Sequence, residues 1–224
     1  MDSTVYTKIY EAPPIDKKEI LRYAGVRGDA PELEDILASC IAETSGRLTY
    51  KVCYRELPIS VSDEVLDLGF CRTASSGLKK NLNGCSSIIL FAATVGIEID
   101  RLIARYSAIS PTKALMLQAI GAERIESLCN LFNIEISEQK KAEGYSTRPR
   151  FSAGYGDFSI EAQKEIFAAL DCSRKIGLSL NQSLLMSPSK SVTAIIGISK
   201  DGRICDVAEK CEACDKRNCE FRRA

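Results

Sequence analysis

GCSSIILFAAT, residues 84–94, is the stretch on which the fold turns. It is apolar enough for the middle of a sheet, yet far shorter than the ~20 residues a membrane-crossing helix needs. A second run, SVTAIIGIS at 191–199, has the same strand-sized length and the same lack of charge. The longest apolar stretches in 224 residues, SIILFAATVG and VTAIIGI, overlap these runs and are strand-sized, so the chain reads as one that buries strands rather than one that enters a bilayer. KDGR at 200–203 follows the second run; its Asp-Gly step is a hairpin signal that would turn the chain into a short partner strand, RICDVA.

Working outward, LTYKVCYREL alternates, with Tyr50, Val52 and Tyr54 on one side and Lys51, Cys53 and Arg55 on the other. That is the pattern of a half-buried strand. ISVSDEVLDLGF supplies a further strand pair. Helices interrupt at irregular intervals: a short one in DKKEILRYAGV ending near Gly25, and one in GDAPELEDILASCIAETSG. In the latter Asp29 can cap, Pro31 suits the first turn and Gly46 the exit. Another is GIEIDRLIARY. A long helix starts at Ser110-Pro111 and runs through CNLFN, and one in SIEAQKEIFAAL is capped by Ser159. Clustered strands with irregular helices predict an α+β fold, a mostly antiparallel curved sheet with helices packed around it. Residues 1–204 make this domain, and 205–224 form a Cys-rich C-terminal tail.

Thirty basic and thirty acidic residues cancel, so no global field draws the chain to nucleic acid or an anionic membrane surface. No charged-then-apolar leader opens the sequence, and the expected location is cytoplasmic. Histidine is absent altogether, which rules out Ser–His and Cys–His catalysis, imidazole metal ligation, and a cobalamin module that offers a histidine to cobalt. Of ten cysteines, six are dispersed: Cys40, Cys53, Cys71, Cys85, Cys129 and Cys172. Most sit among apolar neighbours, where a free thiol acts as a small core hydrophobe.

The functional candidate is the loop RPRFSAGYGDFS, 148–159. Gly154 and Gly156 can take positive φ and let a ligand approach the backbone. Arg150 offers a planar fork for a carboxylate or phosphate. Tyr155 can stack on a flat or cationic group while its hydroxyl stays free to hydrogen-bond. Such a set suits a ligand bearing an amino-acid, aromatic or sulfonium group; a surface loop with an incidental arginine is the other reading.

The loop, the helix after it and LLMSPSKSVTAIIGIS together resemble the activation domain of cobalamin-dependent methionine synthase. The matching positions are Arg150, Gly154, Tyr155, Gln163, Met186, Pro188, Ser191 and Val192. The match spans roughly residues 115–208, and EILRYAGVRG resembles the free-standing relatives of that domain. The resemblance implies binding of S-adenosyl-L-methionine and docking over a cobalamin module. There the domain supports reductive remethylation of cobalamin inactivated by oxidation. It assigns the ligand's methionine part to Arg150 and its nucleoside to the backbone at Ala153, Gly154 and Tyr155, with Glu123 as an acidic neighbour on the long helix. An aromatic pair that helps enclose the ligand in the fused domain falls, by ungapped count, at Ile204 and Cys205 here. The implied partner is a cobalamin-dependent methionine synthase lacking its own activation domain.

The tail, RICDVAEKCEACDKRNCEFRRA, brings Cys205, Cys211, Cys214 and Cys219 close in sequence. Without histidine, a tetrahedral centre there must be all-thiolate or thiolate plus carboxylate, and Lys and Arg neighbours would offset its charge. An iron–sulfur cluster, a zinc ion and a plain disulfide pair are all compatible with the spacing. Two functions follow from these features. One is a reactivation factor that binds S-adenosylmethionine; the other is a redox or metal-binding adaptor for another corrinoid methyltransferase, with a vestigial pocket.

Overall fold

A computed structural model describes residues 4–26, 28, 30–62 and 65–200. In chain order the strands are β1 Tyr6–Tyr10, β2 Tyr50–Pro58, β3 Ser60–Val61, β4 Leu66–Asp67, β5 Arg72–Thr73, β6 Cys85–Thr94, β7 Ser146–Thr147, β8 Ser179–Leu180, β9 Met186–Ser187 and β10 Ser191–Ser199. The helices are α1 Lys17–Tyr23, α2 Glu34–Thr44, α3 Ser76–Asn81, α4 Glu98–Ser107, α5 Pro111–Ala142, α6 Gln163–Leu170 and α7 Cys172–Ile176. The fold is α+β: a curled five-stranded antiparallel sheet in the order β1-β2-β6-β10-β7, with helices around it.

The two strand-sized apolar runs are its centre. β6 and β10 pair antiparallel from Ser191 opposite Thr94 to Ser199 opposite Cys85. Both are apolar on both sides because the sheet is covered on both faces. Val52, Ile89, Phe91, Ala93, Ala194, Ile196 and Ile198 enter one core with α1, α2, α4 and α5. Cys53, Leu57, Ile88, Leu90, Ala92 and Ile195 enter a second with α3, α6 and α7. Each fully buried Leu, Ile or Phe contributes roughly 1.5–3 kcal/mol, so two cores replace the wider sheet that a one-sided fold would need. This corrects the half-buried reading of β2: Cys53 is as buried as Val52, because α6 and α7 cover its side.

Against the first face lies α5, 32 residues long and running nine residues past Asn133 to Ala142. Leu117, Ile120, Leu128, Phe132 and Ile136 recur at helical spacing on its sheet-facing side. The second face admits α3 because Gly197 has no side chain; a Cβ there would lie 2.7 Å from both Leu82 Cδ2 and Cys85 Sγ. β1 was not read from the sequence: among the described residues it is an edge strand paired with β2 alone, with Ile9 exposed and too few buried positions to show a period. The second helix begins as a 3-10 turn at Pro31, whereas Asp29, its expected cap, lies outside the described residues. So does the expected hairpin partner at 203–208. The outer edge of β10 that it would use is taken at Ile195 by Phe151 and at Ile198 and Ser199 by β7.

Candidate functional site

The loop after α5 is held as a rigid backbone feature. Phe151 N–H donates to Ile195 O at 2.9 Å and Ile195 N–H returns the bond at 2.9 Å, while Arg148 N–H donates to Gly197 O at 2.8 Å. Asn81 Nδ2 donates to Pro149 O at 3.1 Å. Past Phe151 the chain turns back, with Gly154 N–H donating to Phe158 O at 2.8 Å. The Gly154 φ of +85° is one that L side chains rarely adopt, and a Cβ there would also stand 2.8 Å from Ile160 Cδ1. Ala153 and Phe158 are buried in the second core, so the loop is pinned from beneath. Tyr155 is 65% exposed, its ring edge-on to Phe151 at 5.3 Å.

Asp157, at the loop's far end, has a role that the sequence reading missed. Its carboxylate accepts from Ser75 Oγ at 2.5 Å, Ser76 N–H and Ser76 Oγ at 2.7 Å, and Gly77 N–H at 3.1 Å. It therefore closes the first turn of α3, 80 residues earlier in the chain, and ties the loop to it. Hydrogen bonds from the Ser75 and Ser76 hydroxyls hold its pKa well below the usual carboxylate range. The signal was available in ASSGLKK, where Ser75 also caps α3 by accepting from Leu78 N–H at 3.1 Å.

Arg150 lies at the loop's near end. Its Nη2 forms an ion pair with Glu126 Oε2 on α5. Its Nη1 is buried with no hydrogen-bond partner among the described residues. The fork is therefore half used. Beneath it, burial pushes the Cys129 thiol up to about 12, so that sulfur stays a neutral part of the core.

Glu126 also lines a cleft of about 260 Å³ between α1 and α5, with Asp16, Glu19, Tyr23, Glu123 and Ser127. Glu123 is 2% exposed and already committed. It pairs with its neighbour Arg124 at 2.5 Å and accepts from Ser127 Oγ at 2.7 Å and Asp16 N–H at 3.3 Å. Arg124 in turn donates to Pro13 O at 2.5 Å and Pro14 O at 2.7 Å. This buried pair thus clips the segment before α1 onto α5 and shapes the cleft wall. Burial, then the Glu126 charge, raises the pKa of Tyr23 on the opposite wall.

The structure thus brings Arg150 and the Glu123 wall to the same stretch of α5, joined through Glu126. Ala153, Gly154 and Tyr155 form the turn that follows. Glu126, Asp16 and Tyr23 were not singled out from sequence. Only Glu126 had a local cue, at i+3 from Glu123 on one helix face.

Among the described residues, no group of three or more His, Cys, Asp and Glu side chains is arranged to hold a metal ion. The tail cysteines Cys205, Cys211, Cys214 and Cys219 lie outside the described residues, as does Ile204. The six dispersed cysteines are free thiols; Cys40, Cys53, Cys129 and Cys172 are buried, as core hydrophobes would be. No described helix is long and apolar enough to cross a membrane.

No protein-family model matches the chain. No curated protein matches it either. Among solved structures it is similar to the crystal structure of the MetH reactivation domain bound to AdoHcy, with a TM-score of 0.63 and 16% sequence identity. That likeness covers 91% of this chain and 81% of the other, so the shared feature is the fold over nearly the whole molecule.

Proposed function

We propose that this chain is an S-adenosylmethionine-binding reactivation factor, acting on a cobalamin-dependent methionine synthase carried by a separate polypeptide. The observation that carries the reading is the half-used Arg150 fork on a fixed loop, in a fold like that of a reactivation domain bound to S-adenosylhomocysteine. A buried guanidinium nitrogen without a partner is costly to leave unmade, and a ligand carboxylate would satisfy it.

In this reading the chain binds and orients. Arg150 takes the amino-acid end of the ligand, and the bare backbone at Gly154 and Gly156 admits the nucleoside with Tyr155 beside it. This chain would hold the sulfonium methyl group toward the partner's cobalamin, which, once reduced by an external one-electron donor, would supply the nucleophile, with S-adenosylhomocysteine as the leaving product. No general acid or base is required of this chain, in keeping with a sequence that has no histidine.

Calorimetric titration of S-adenosylmethionine into the purified chain tests this. Saturable binding at one site per chain is expected, and the isolated chain should neither hold cobalamin tightly nor methylate homocysteine. Absence of binding, or methionine formation by this chain with free cobalamin, would overturn the reading.

The second reading, a metal-binding redox adaptor for another corrinoid protein, is favoured by one feature, the spacing of Cys205, Cys211, Cys214 and Cys219. Four thiolates within fifteen residues can close one centre. If it is an iron–sulfur cluster, protein prepared without oxygen is brown and carries iron and inorganic sulfide, and air bleaches it. If it is zinc, the protein is colourless with about one zinc per chain. Cys214→Ser should remove the metal and Cys40→Ser should not. Four freely alkylated thiols and no metal would rule out this centre.

A further inference from the structure

Arg150 can grip a carboxylate only if its fork is aimed, and the structure shows what aims it. The backbone on either side is fixed by the Phe151–Ile195 bridge and by Asn81 on Pro149. The long side chain beyond it has four rotatable bonds and would lose its orientation without a partner. Among the described residues its side chain is held by Glu126, through Nη2, and Nη1 is buried and unpaired. The Arg150 side chain is only 14% exposed and that of Glu126 38%, so the pair is partly sheltered from the screening that weakens surface ion pairs. Glu126 projects from the middle of α5, whose backbone is held there beside the Glu123–Arg124 clip.

We infer that Glu126 is the positioning residue for Arg150: it occupies Nη2 and so presents Nη1 to the carboxylate of an amino-acid-bearing ligand. This rests on the S-adenosylmethionine reading above and adds to it a residue that never touches the methyl group. Glutamine at this position keeps an oxygen acceptor for Nη2, whereas alanine removes it.

The test is calorimetry on the full chain with two probes. S-adenosylhomocysteine has the carboxylate; 5′-methylthioadenosine has the same nucleoside without it. Glu126→Ala should weaken S-adenosylhomocysteine roughly tenfold, the scale of one lost orienting hydrogen bond to a charged group. It should leave 5′-methylthioadenosine unchanged, and Glu126→Gln should recover most of the loss. In an Arg150→Ala background, Glu126→Ala should cost nothing further, which decides the matter if 5′-methylthioadenosine binds too weakly to titrate. Equal weakening of both probes, or additive losses with Arg150→Ala, would make Glu126 a merely structural residue and overturn the inference. So would unchanged affinity in Glu126→Ala. Wild-type protein that binds neither probe would instead overturn the ligand reading, and the inference with it.

Discussion

Two charged side chains seven positions apart on one loop, Arg150 and Asp157, meet opposite fates. Asp157 is saturated: two serine hydroxyls and two backbone amides converge on its carboxylate, and it pins the loop to α3. Arg150 is held by one nitrogen and has another buried without a partner among the described residues. Exposure alone would mislead here, because the exposed charge is fully hydrogen-bonded and the more buried charge is the one with an unpaired nitrogen. What separates architecture from binding is whether hydrogen-bonding capacity has been consumed.

The contrast can be broken most forcefully at Arg150. Arg150→Ala should reduce affinity for S-adenosylmethionine about ten- to a hundredfold, the worth of a charge-assisted contact of roughly 1.5–3 kcal/mol, with little change in melting temperature. Calorimetry and thermal unfolding on the same preparation check both halves. A large fall in melting temperature with unchanged affinity would make Arg150 a structural residue like Asp157.

Next in size is the turn between the two charges. Gly154→Ala places a Cβ at a φ of +85° and against Ile160 Cδ1, so it should destabilise the fold by about 1 kcal/mol or more, as read by denaturant unfolding. If affinity falls as well once folded protein is titrated, the backbone at Gly154 lies against the ligand. If only stability falls, the glycine serves the turn.

The smallest effect, and the one with a pH signature, belongs to Asp157. Its carboxyl is held below the usual range by the Ser75 and Ser76 hydroxyls, so the charged form is favoured in the folded state. A depressed pKa contributes stability above the unfolded value, about 3.9, and loses it as pH falls from there toward the folded value. Asp157→Asn should therefore lower the melting temperature by a constant amount between pH 5 and 8, and the gap to wild type should close below about pH 4. A gap that persists into acid would mean the charge itself is not what holds α3.

The central pair of strands was legible because GCSSIILFAAT and SVTAIIGIS carry their burial in their composition. Two-sided cover is written as an unbroken apolar run. The long helix was legible from its 3.6 period until Asn133, after which ISEQKKA is polar enough to hide its last turns, although Ile136 and Lys140 still face inward. β1 was not legible, and α3 only through the Ser75 cap in ASSGLKK. Each owes its place to distant partners, β1 to β2 and α3 to Asp157, and neither has a period long enough to read. At the site, the glycine turn and Arg150 could be named from local sequence. Asp16 and Tyr23 could not, and Glu126 only by its i+3 spacing from Glu123, since their relevance arises when α1 and the loop after α5 are brought to one face of α5.

A crystal structure of the full chain with S-adenosylhomocysteine tests the central claim most directly. The account predicts the ligand carboxylate within about 2.7–2.9 Å of Arg150 Nη1, with Glu126 still on Nη2 and the Asp157 contacts to Ser75 and Ser76 unchanged. A ligand bound away from Arg150, or one whose entry releases Asp157 from α3 while Arg150 stays idle, would contradict it.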